Sequence, residues 1–226
     1  MLKQLTDKMQ LMRHFLGSVR RRGMMRTVRI SFYEVWFERK FRAATGFVIP
    51  VDRLDFNEEA KSHASPYFPS SYLFLHEAFA AGALDCRNHV FVDYGCGMGR
   101  ALLFASTLPF KRIVGVELSP SLCETAVQNL ERYYRLRGKT MPEWQVVNAD
   151  ARRFLIPDDA TVFYMFNAFD ALVVGKVLDN IVTSVLAHPR KCYLIYANPI
   201  HERLITEQGF EKIANPTTDY VIYTHQ

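Results

Sequence analysis

The chain has 226 residues, 49% of them hydrophobic and 13% aromatic, with a formal net charge of +5 at pH 7. This composition excludes a disordered chain and suits one domain of ordinary size with room for an appendage. No apolar run reaches the roughly 18–20 residues that cross a bilayer. Cys86, Cys96, Cys123 and Cys192 form no C-x-x-C pair. We therefore expect a cytoplasmic protein with no transmembrane segment, disulfide framework or dedicated metal site.

Positive charge is concentrated in the first 45 residues, which hold eleven Lys or Arg against three acids. Two amphipathic helical patterns fill this segment. The first has Leu5, Met9, Met12 and Leu16 on one face; the second has Tyr33, Trp36, Phe37, Phe41 and Ala44, with Gly46 as the predicted helix end. We expect residues 1–45 to form a basic helical extension that packs on a main domain, residues 46–226. The alternative is that this basic segment binds an anionic partner, either nucleic acid or an anionic membrane.

The rest of the chain alternates between strand-like and helical patterns. The turn-rich stretch HASPYFPSSY leads into a predicted helix from Ser70 or Ser71 to about Gly82. Predicted strands follow at HVFVDY, RIVGVEL, WQVVNA, TVFYMFN and KCYLIYAN, and FEKIAN and YVIYTH form a closing antiparallel pair. Predicted helices lie at about 98–107, 120–137, 170–187 and 200–208, with a short turn near 151–156. This order predicts a doubly wound, Rossmann-like α/β fold whose seven-stranded sheet is parallel with one antiparallel strand.

The stretch DYGCGMGR directly follows the first predicted strand. Gly95, Gly97 and Gly99 alternate with other residues after Asp93, and Cys96 lies between the first two glycines. Such glycines allow a sharp turn into a helix and a close approach of a ligand to the backbone, and the exposed N–H groups at the start of that helix favour a carboxylate or phosphate. The dinucleotide fingerprint is G-x-G-x-x-G, whereas the spacing here is G-x-G-x-G with an arginine next. The alternative is a tight turn that binds nothing.

In this motif the sequence resembles the class I S-adenosylmethionine (SAM) methyltransferases, whose first motif is D/E-x-G-x-G-x-G. The resemblance spans about residues 46–226 and implies SAM as the cofactor. It also implies that Glu117, at the end of the second strand, holds the ribose hydroxyls. After the third strand, Asp150 with the Ala151 backbone would contact the adenine. The alternatives are that Glu117 merely precedes a helix capped by Ser119, and that Asp150 is itself a helix cap.

The resemblance places the methyl acceptor near the end of the fourth strand, FYMFNAFD. Asn167 stands where relatives carry Asn-Pro-Phe and is a candidate catalytic residue for an amine, although Ala168 replaces the proline. The alternative for Asn167 is a strand-end turn, and we expect Asp170 to be a helix N-cap. Tyr67 lies in a Tyr-x-Pro-Ser stretch similar to that of compact lysine methyltransferases. It is the second candidate and would cover the cofactor, unless it is a core tyrosine of a proline-rich connector.

The sequence thus predicts a SAM-dependent methyltransferase that acts by direct displacement. Protein lysine is the acceptor that the resemblance favours, and a small molecule or RNA is the alternative. Two other functions stay open on the sequence alone. One is an NAD(P)-dependent oxidoreductase, which the glycine spacing disfavours; the other is a non-catalytic SAM-binding scaffold, which the alanine after Asn167 favours.

Overall fold

The structure, a computed structural model, describes residues 17–20, 22–56, 58–63, 65–81, 84–137, 141–166, 169–217 and 219–226. The helices are α1 (Met24–Phe41), α2 (Glu58–His63), α3 (Tyr72–Ala81), α4 (Arg100–Ala105), α5 (Pro120–Arg137), α6 (Ala171–Ala187) and α7 (Glu202–Glu207). The strands are β1 (Val90–Tyr94), β2 (Arg112–Glu117), β3 (Glu143–Asn148), β4 (Ala160–Phe166), β5 (Cys192–Ala197), β6 (Glu211–Thr217) and β7 (Tyr220–His225). Short 3₁₀ helices span Val51–Arg53 and Ala151–Arg153. None of the helices in these ranges is long and apolar enough to cross a membrane.

The seven strands form one sheet in the order β3-β2-β1-β4-β5-β7-β6. The first five are parallel, and β7 is antiparallel to both of its neighbours. The predicted strands and the single antiparallel strand are therefore confirmed. Strand order reverses between β1 and β4, and at such a switch point the crevice outside the carboxyl ends of the strands receives ligands. This edge of the sheet is consequently where the functional site is to be sought.

Helix α1 ends earlier than its sequence pattern predicted. It stops at Phe41 and not at Gly46, because Arg42 takes a left-handed conformation with φ of 52°. The chain then folds back over the last turn of the helix. The backbone N–H and the hydroxyl of Thr45 donate to Oε1 of Glu38 at 2.9 and 3.2 Å. The carboxylate of Glu38 thus holds the returning segment where a longer helix would have run.

Two aromatic residues anchor α1 in the core. Phe37 stacks on Tyr72 of α3 with ring centroids 4.9 Å apart, and Phe41 meets Tyr133 of α5 at 4.8 Å. Both phenylalanines are buried, whereas Trp36, which the pattern placed on the same face, is 47% exposed. The first amphipathic pattern, of Leu5, Met9, Met12 and Leu16, lies outside the described residues, as does Gly82. The division of the chain at residue 46 stays a prediction.

Part of the basic charge of the extension is used within the protein. Arg22 pairs with Asp219, which lies between β6 and β7, at 3.3 Å. Arg26 pairs with both Asp219 and Glu77 of α3 at 3.0 Å, and Arg29 lies 3.6 Å from Glu77. The ion pairs of Arg26 and Arg29 join α1 to α3 and to the turn between β6 and β7.

Replacing Phe41 with alanine tests how much α1 contributes to the core. Phe41 is 0% exposed, so we expect the free energy of unfolding to fall by about 3–5 kcal/mol, as for other large-to-small changes in cores. Phe32 on the same helix is 64% exposed, and its change to alanine should alter that free energy by less than about 0.5 kcal/mol. Urea denaturation of both variants measures the difference. A loss below about 1 kcal/mol for Phe41→Ala would contradict the role of α1 in the core.

Candidate functional site

A cavity of about 430 Å³ lies at the carboxyl ends of the parallel strands. Its volume is within the range of roughly 300–1,000 Å³ that is usual for small-molecule sites. Seven of the residues predicted from the sequence line it: Tyr67, Asp93, Gly95, Cys96, Glu117, Asp150 and Ala151. Residues that were predicted at the ends of different strands therefore lie around one cavity.

The glycine turn crosses over the end of β2 and is held there by its own backbone. The N–H groups of Gly95 and Cys96 both donate to the Val116 carbonyl, at 2.8 and 3.1 Å. The N–H group of Gly97 donates to Oε2 of Glu117 at 2.9 Å. Bonding to β2 therefore satisfies the N–H groups of Gly95, Cys96 and Gly97. The turn therefore lets a ligand approach the backbone closely, and it holds the carboxylate of Glu117 in place.

Two of the glycines are required by contacts as well as by conformation. Gly97 has φ of 52°, and a Cβ there would lie 2.2 Å from Cε2 of Tyr67. Gly99 has φ of 80°, and a Cβ there would lie 3.1 Å from that of Ala126 in α5. The ring of Tyr67 thus lies against the turn, and its hydroxyl donates to the Thr45 carbonyl at 3.0 Å. Burial raises the pKa of Tyr67, so its phenol stays protonated.

The floor of the cavity carries two buried carboxyl groups. Asp93 is 2% exposed, and burial together with the nearby Glu117 raises its pKa well above the usual range. Burial also raises the pKa of Glu117, against the opposing hydrogen bonds from the N–H groups of Ser119 and Gly97. Within the part of the chain that the structure describes, no Lys or Arg pairs with either acid. Burial makes ionisation of these acids costly, and a positive charge beside them would offset that cost, so the floor favours a cationic ligand.

Asp150 begins the 3₁₀ helix that follows β3. Its Oδ1 accepts from the N–H group of Arg152 at 2.8 Å, which confirms the capping interpretation. Burial opposes ionisation of Asp150, but the hydrogen bonds and charge of Arg152 outweigh it and hold the pKa below its usual value. Ala151 is buried beside it at the cavity wall. The contact of Asp150 and Ala151 with adenine stays a prediction, which capping does not exclude.

Beyond the end of β4, Asp170 forms the N-cap of α6, as predicted. Its Oδ1 accepts from the N–H group of Val173 at 3.0 Å. Its other oxygen, Oδ2, lies 2.6 Å from Nδ1 of His63, and His63 lines the cavity. Sequence reasoning missed His63, because no motif spacing links it to an acid 107 residues away. Asn167 and Ala168 lie outside the described residues.

Arg100, the residue after the last glycine, links the turn to α1. Its Nη1 donates to the Ser70 carbonyl at 2.8 Å and also to the Glu34 carboxylate. Its Nη2 donates to Oε1 of Glu38 and its Nε to Oγ1 of Thr45, both at 2.9 Å. One buried guanidinium therefore joins the glycine turn to the extension and to the stretch before α3.

No protein-family model and no curated protein matches the chain, but solved structures do. Precorrin-6y C5,15-methyltransferase from Geobacter metallireducens is similar with a TM-score of 0.51 and 14% identity, over 78% of this chain and 97% of its own. Precorrin 8w decarboxylase from Methanobacterium thermoautotrophicum has the same score and coverage at 18% identity. Magnesium protoporphyrin IX methyltransferase from Synechocystis, crystallised with bound SAM, scores 0.47 at 13% identity, over 67% and 75% of the two chains.

The fold is that of the class I SAM-dependent methyltransferases. Sequence identities this low establish the methyltransferase fold and leave the reaction to be argued from the site. The two structures with the higher TM-scores illustrate the point, since one is named a methyltransferase and the other a decarboxylase. The chemistry open to this protein therefore depends on its own cavity and on the acids at the cavity floor.

Changing Arg100 to methionine tests the link between the turn and α1. The change leaves Glu34 and Glu38 without their shared cation, but their side chains are 27% and 30% exposed and water offsets part of the loss. We expect the free energy of unfolding to fall by roughly 2–3 kcal/mol, less than for a fully buried pair. In the matched Arg112→Met, a half-exposed pair with Asp159 is lost, at a cost below about 1 kcal/mol. Equal losses in chemical denaturation would contradict the anchoring role.

Changing Asp93 to asparagine tests the buried acid. Because the pKa of Asp93 is raised, the folded protein retains a proton that the unfolded chain releases above about pH 4, so stability falls as pH rises toward the raised pKa. We expect Asp93→Asn to raise the thermal midpoint near neutral pH by about 2–4 °C and to flatten its pH dependence. Scanning fluorimetry from about pH 5 to 9 measures both.

The control for this experiment is Asp159→Asn. Hydrogen bonding from Lys111 and the charge of Arg112 hold the pKa of Asp159 below its usual value, so its ionised form stabilises the fold. The control should therefore lower the midpoint at neutral pH. An Asp93→Asn midpoint equal to that of the unmodified protein, or lower, would show that the buried carboxyl is not destabilising.

Proposed function

We propose that the protein is a SAM-dependent methyltransferase that acts by direct displacement. The observation that carries this proposal is the pair Asp93 and Glu117, two buried carboxyl groups at one cavity in a methyltransferase fold. No described cationic side chain pairs with either acid. SAM carries a positive sulfonium and an ammonium group, and its charge matches this floor. When bound, it supplies an activated methyl group.

The chain's own residues divide the work of holding the cofactor. Glu117 retains lone pairs beyond its two backbone hydrogen bonds, and these can accept from ribose hydroxyls. Asp93 faces the positive part of the ligand, and Asp150 with the Ala151 backbone serves the adenine. The wall that allows a close approach is formed by Gly95, Cys96, Gly97 and Gly99, with Tyr67 covering it. Seven of these residues line the cavity, and Gly97 and Gly99 complete the turn.

The remaining surface of the cavity is largely apolar. It includes Leu54, Phe56, Phe68, Phe166 and Phe169. Displacement at a sulfonium needs no covalent enzyme intermediate, so the protein's task is to align the acceptor and to exclude water. An apolar wall suits both tasks.

An amine, with protein lysine favoured, is the acceptor that we propose. The aromatic wall accommodates an alkyl chain and attracts a cation through its ring faces. In this proposal Asn167 accepts a hydrogen bond from the target nitrogen. A small molecule or RNA is the alternative acceptor. The four cysteines are buried and unpaired, which favours a reducing compartment, and we propose the cytoplasm as the location.

Calorimetry with SAM tests the cofactor assignment. We expect the unmodified protein to bind SAM and Glu117→Ala to bind it at least tenfold more weakly, because each hydrogen bond to a charged group contributes about 1.5–3 kcal/mol. Glu143→Ala, an exposed acid at the opposite end of the sheet, is the matched control and should bind as the unmodified protein does. Unchanged affinity of Glu117→Ala, or no binding by the folded protein, would refute the assignment.

Methyl transfer is tested separately with labelled SAM and a cell extract. Label in the protein fraction, released as methylated lysine after acid hydrolysis, is the expected result. Label in RNA or in small molecules would show that the protein is a methyltransferase with an acceptor other than protein lysine. Tight binding of SAM with no label in any fraction would favour a non-catalytic scaffold, which the replacement of proline by Ala168 motivates. Binding of NADH instead of SAM, followed by fluorescence, would favour an oxidoreductase.

A further inference from the structure

We propose that His63 is the catalytic base of this site and that Asp170 is its positioning residue. In this role Nε2 of His63 takes the proton from the acceptor's ammonium group before methyl transfer. The inference rests on the proposed function, because it assigns the proton of that same acceptor. The geometry of the pair and its place in the cavity support it.

The pair has the geometry of an oriented imidazole. Oδ2 of Asp170 is 2.6 Å from Nδ1 of His63, and an ionised carboxylate can only accept, so Nδ1 carries the hydrogen. A neutral imidazole then has its lone pair on Nε2. Among the described residues none hydrogen-bonds to Nε2, and His63 lines the cavity. The lone pair is therefore available to a ligand there.

Asp170 is held in place by contacts that do not involve the imidazole. Its Oδ1 caps α6 through Val173 N–H at 3.0 Å, and its own N–H lies 3.4 Å from the His63 carbonyl. Burial opposes ionisation of Asp170, but the backbone hydrogen bond from Val173 and the hydrogen bond with His63 hold its pKa below the usual value. The cap alone needs only one carboxylate oxygen. The second oxygen is free to orient the histidine.

Three other charged residues lie near this pair: Arg152, Glu59 and Lys61. Arg152, on the neighbouring 3₁₀ helix, lines the cavity and interacts electrostatically with Asp170, but it also pairs with Asp150 at 2.6 Å and lies 3.8 Å from Glu59 of α2. Lys61 and Glu59 belong to the same short helix as His63. The Asp170 carboxylate lies beside an aromatic wall that includes Phe166 and Phe169. A cationic ammonium group is favoured at such a place over an anion.

The proton transfer balances within the pair and the acceptor. The N–H bond of the ammonium breaks and its electron pair stays on nitrogen, which becomes the nucleophile. The proton forms the new Nε2–H bond, and the imidazolium is stabilised by Asp170, as a carboxylate stabilises other imidazolium bases. Release of the proton to water restores the neutral imidazole. A lysine amine with a pKa near 10.4 needs this step at neutral pH.

The chain offers a matched control for this pair. Nε2 of His188 lies 3.3 Å from Oδ1 of Asp158, but those side chains are 52% and 71% exposed and neither lines the cavity. We compare His63→Gln with His188→Gln. Glutamine can keep a hydrogen bond to the acid but cannot take a proton. Asp170→Asn is the third variant, since asparagine still caps a helix and only the charge is lost.

The first measurement needs no acceptor. In protein labelled with ¹⁵N-histidine, the His63 signals are those missing from the His63→Gln spectrum. In the neutral imidazole we expect the hydrogen on Nδ1 and none on Nε2, and mixed tautomers in Asp170→Asn. A proton on Nε2 of neutral His63 would overturn the proposal.

The second measurement follows label transfer from SAM to the protein fraction of a cell extract at several pH values. We expect His63→Gln to transfer about 10²–10⁴-fold more slowly near pH 7. The deficit should shrink to a few-fold near pH 10, where the amine loses its own proton. His188→Gln should match the unmodified protein throughout. A deficit that persists at pH 10, or no deficit at pH 7, would overturn the proposal.

Calorimetry with SAM separates the two proposals. His63→Gln should bind SAM as tightly as the unmodified protein, because His63 is assigned to the acceptor and not to the cofactor. If the unmodified protein binds no SAM or labels nothing, the proposed function fails, and the inference about His63 fails with it. If the unmodified protein binds SAM and transfers label while His63→Gln does so equally well, only the inference about His63 fails.

Discussion

The buried guanidinium of Arg100 is the interaction on which the arrangement of the site depends. It follows the glycine turn directly, and its hydrogen bonds reach α1 through Glu34 and Glu38 and the stretch before α3 through the Ser70 carbonyl. Only an arginine offers a fixed fork of donors that can satisfy partners in several directions at once. A single side chain therefore positions the glycine turn, α1 and the stretch before α3 relative to one another.

The hydrogen bonds of Arg100 hold α1 next to the glycine turn, so the chain just ahead of α1 can line the cavity. α1 packs in the core through Phe37 and Phe41, and Arg22, just ahead of it, pairs with Asp219 where both residues line the cavity. Arg22 thus forms part of the cavity wall, while Arg26 and Arg29 pair with Glu77 and Asp219. Their charge serves an internal contact, and a partner for the extension needs to be sought among its other basic residues.

The cavity has two chemically different parts. Asp93 and Glu117 form a floor of buried acids behind the turn, where ionisation is costly and a cationic ligand would offset that cost. At the end of β4, His63 and Asp170 form a pair whose side chains are only partly exposed. Glu117 connects the first part to the backbone of the turn through Gly97. In our proposals the first part binds the cofactor and the second activates the acceptor, at different strand ends of the same sheet.

Most of the fold and the meeting of the strand-end acids at one cavity were predictable from sequence, because both depend on local patterns. Apolar runs predicted all seven strands, and parallel strands bring their carboxyl ends to one edge, so Asp93, Glu117 and Asp150 were expected to meet. The end of α1 was not predictable, since it depends on the hydrogen bonds that Thr45 donates to the Glu38 carboxylate. A helix-period pattern continues across that point whatever the chain does in three dimensions.

Sequence by itself determined the sheet, the glycine turn and the acids that follow its strands. Only the tertiary structure decided that the N–H groups of the turn are used by β2, that Arg100 reaches α1, and that His63 meets Asp170. These contacts join residues from 20 to 107 positions apart. No local periodicity or motif spacing encodes such pairs, because they form only when packed elements bring distant side chains together.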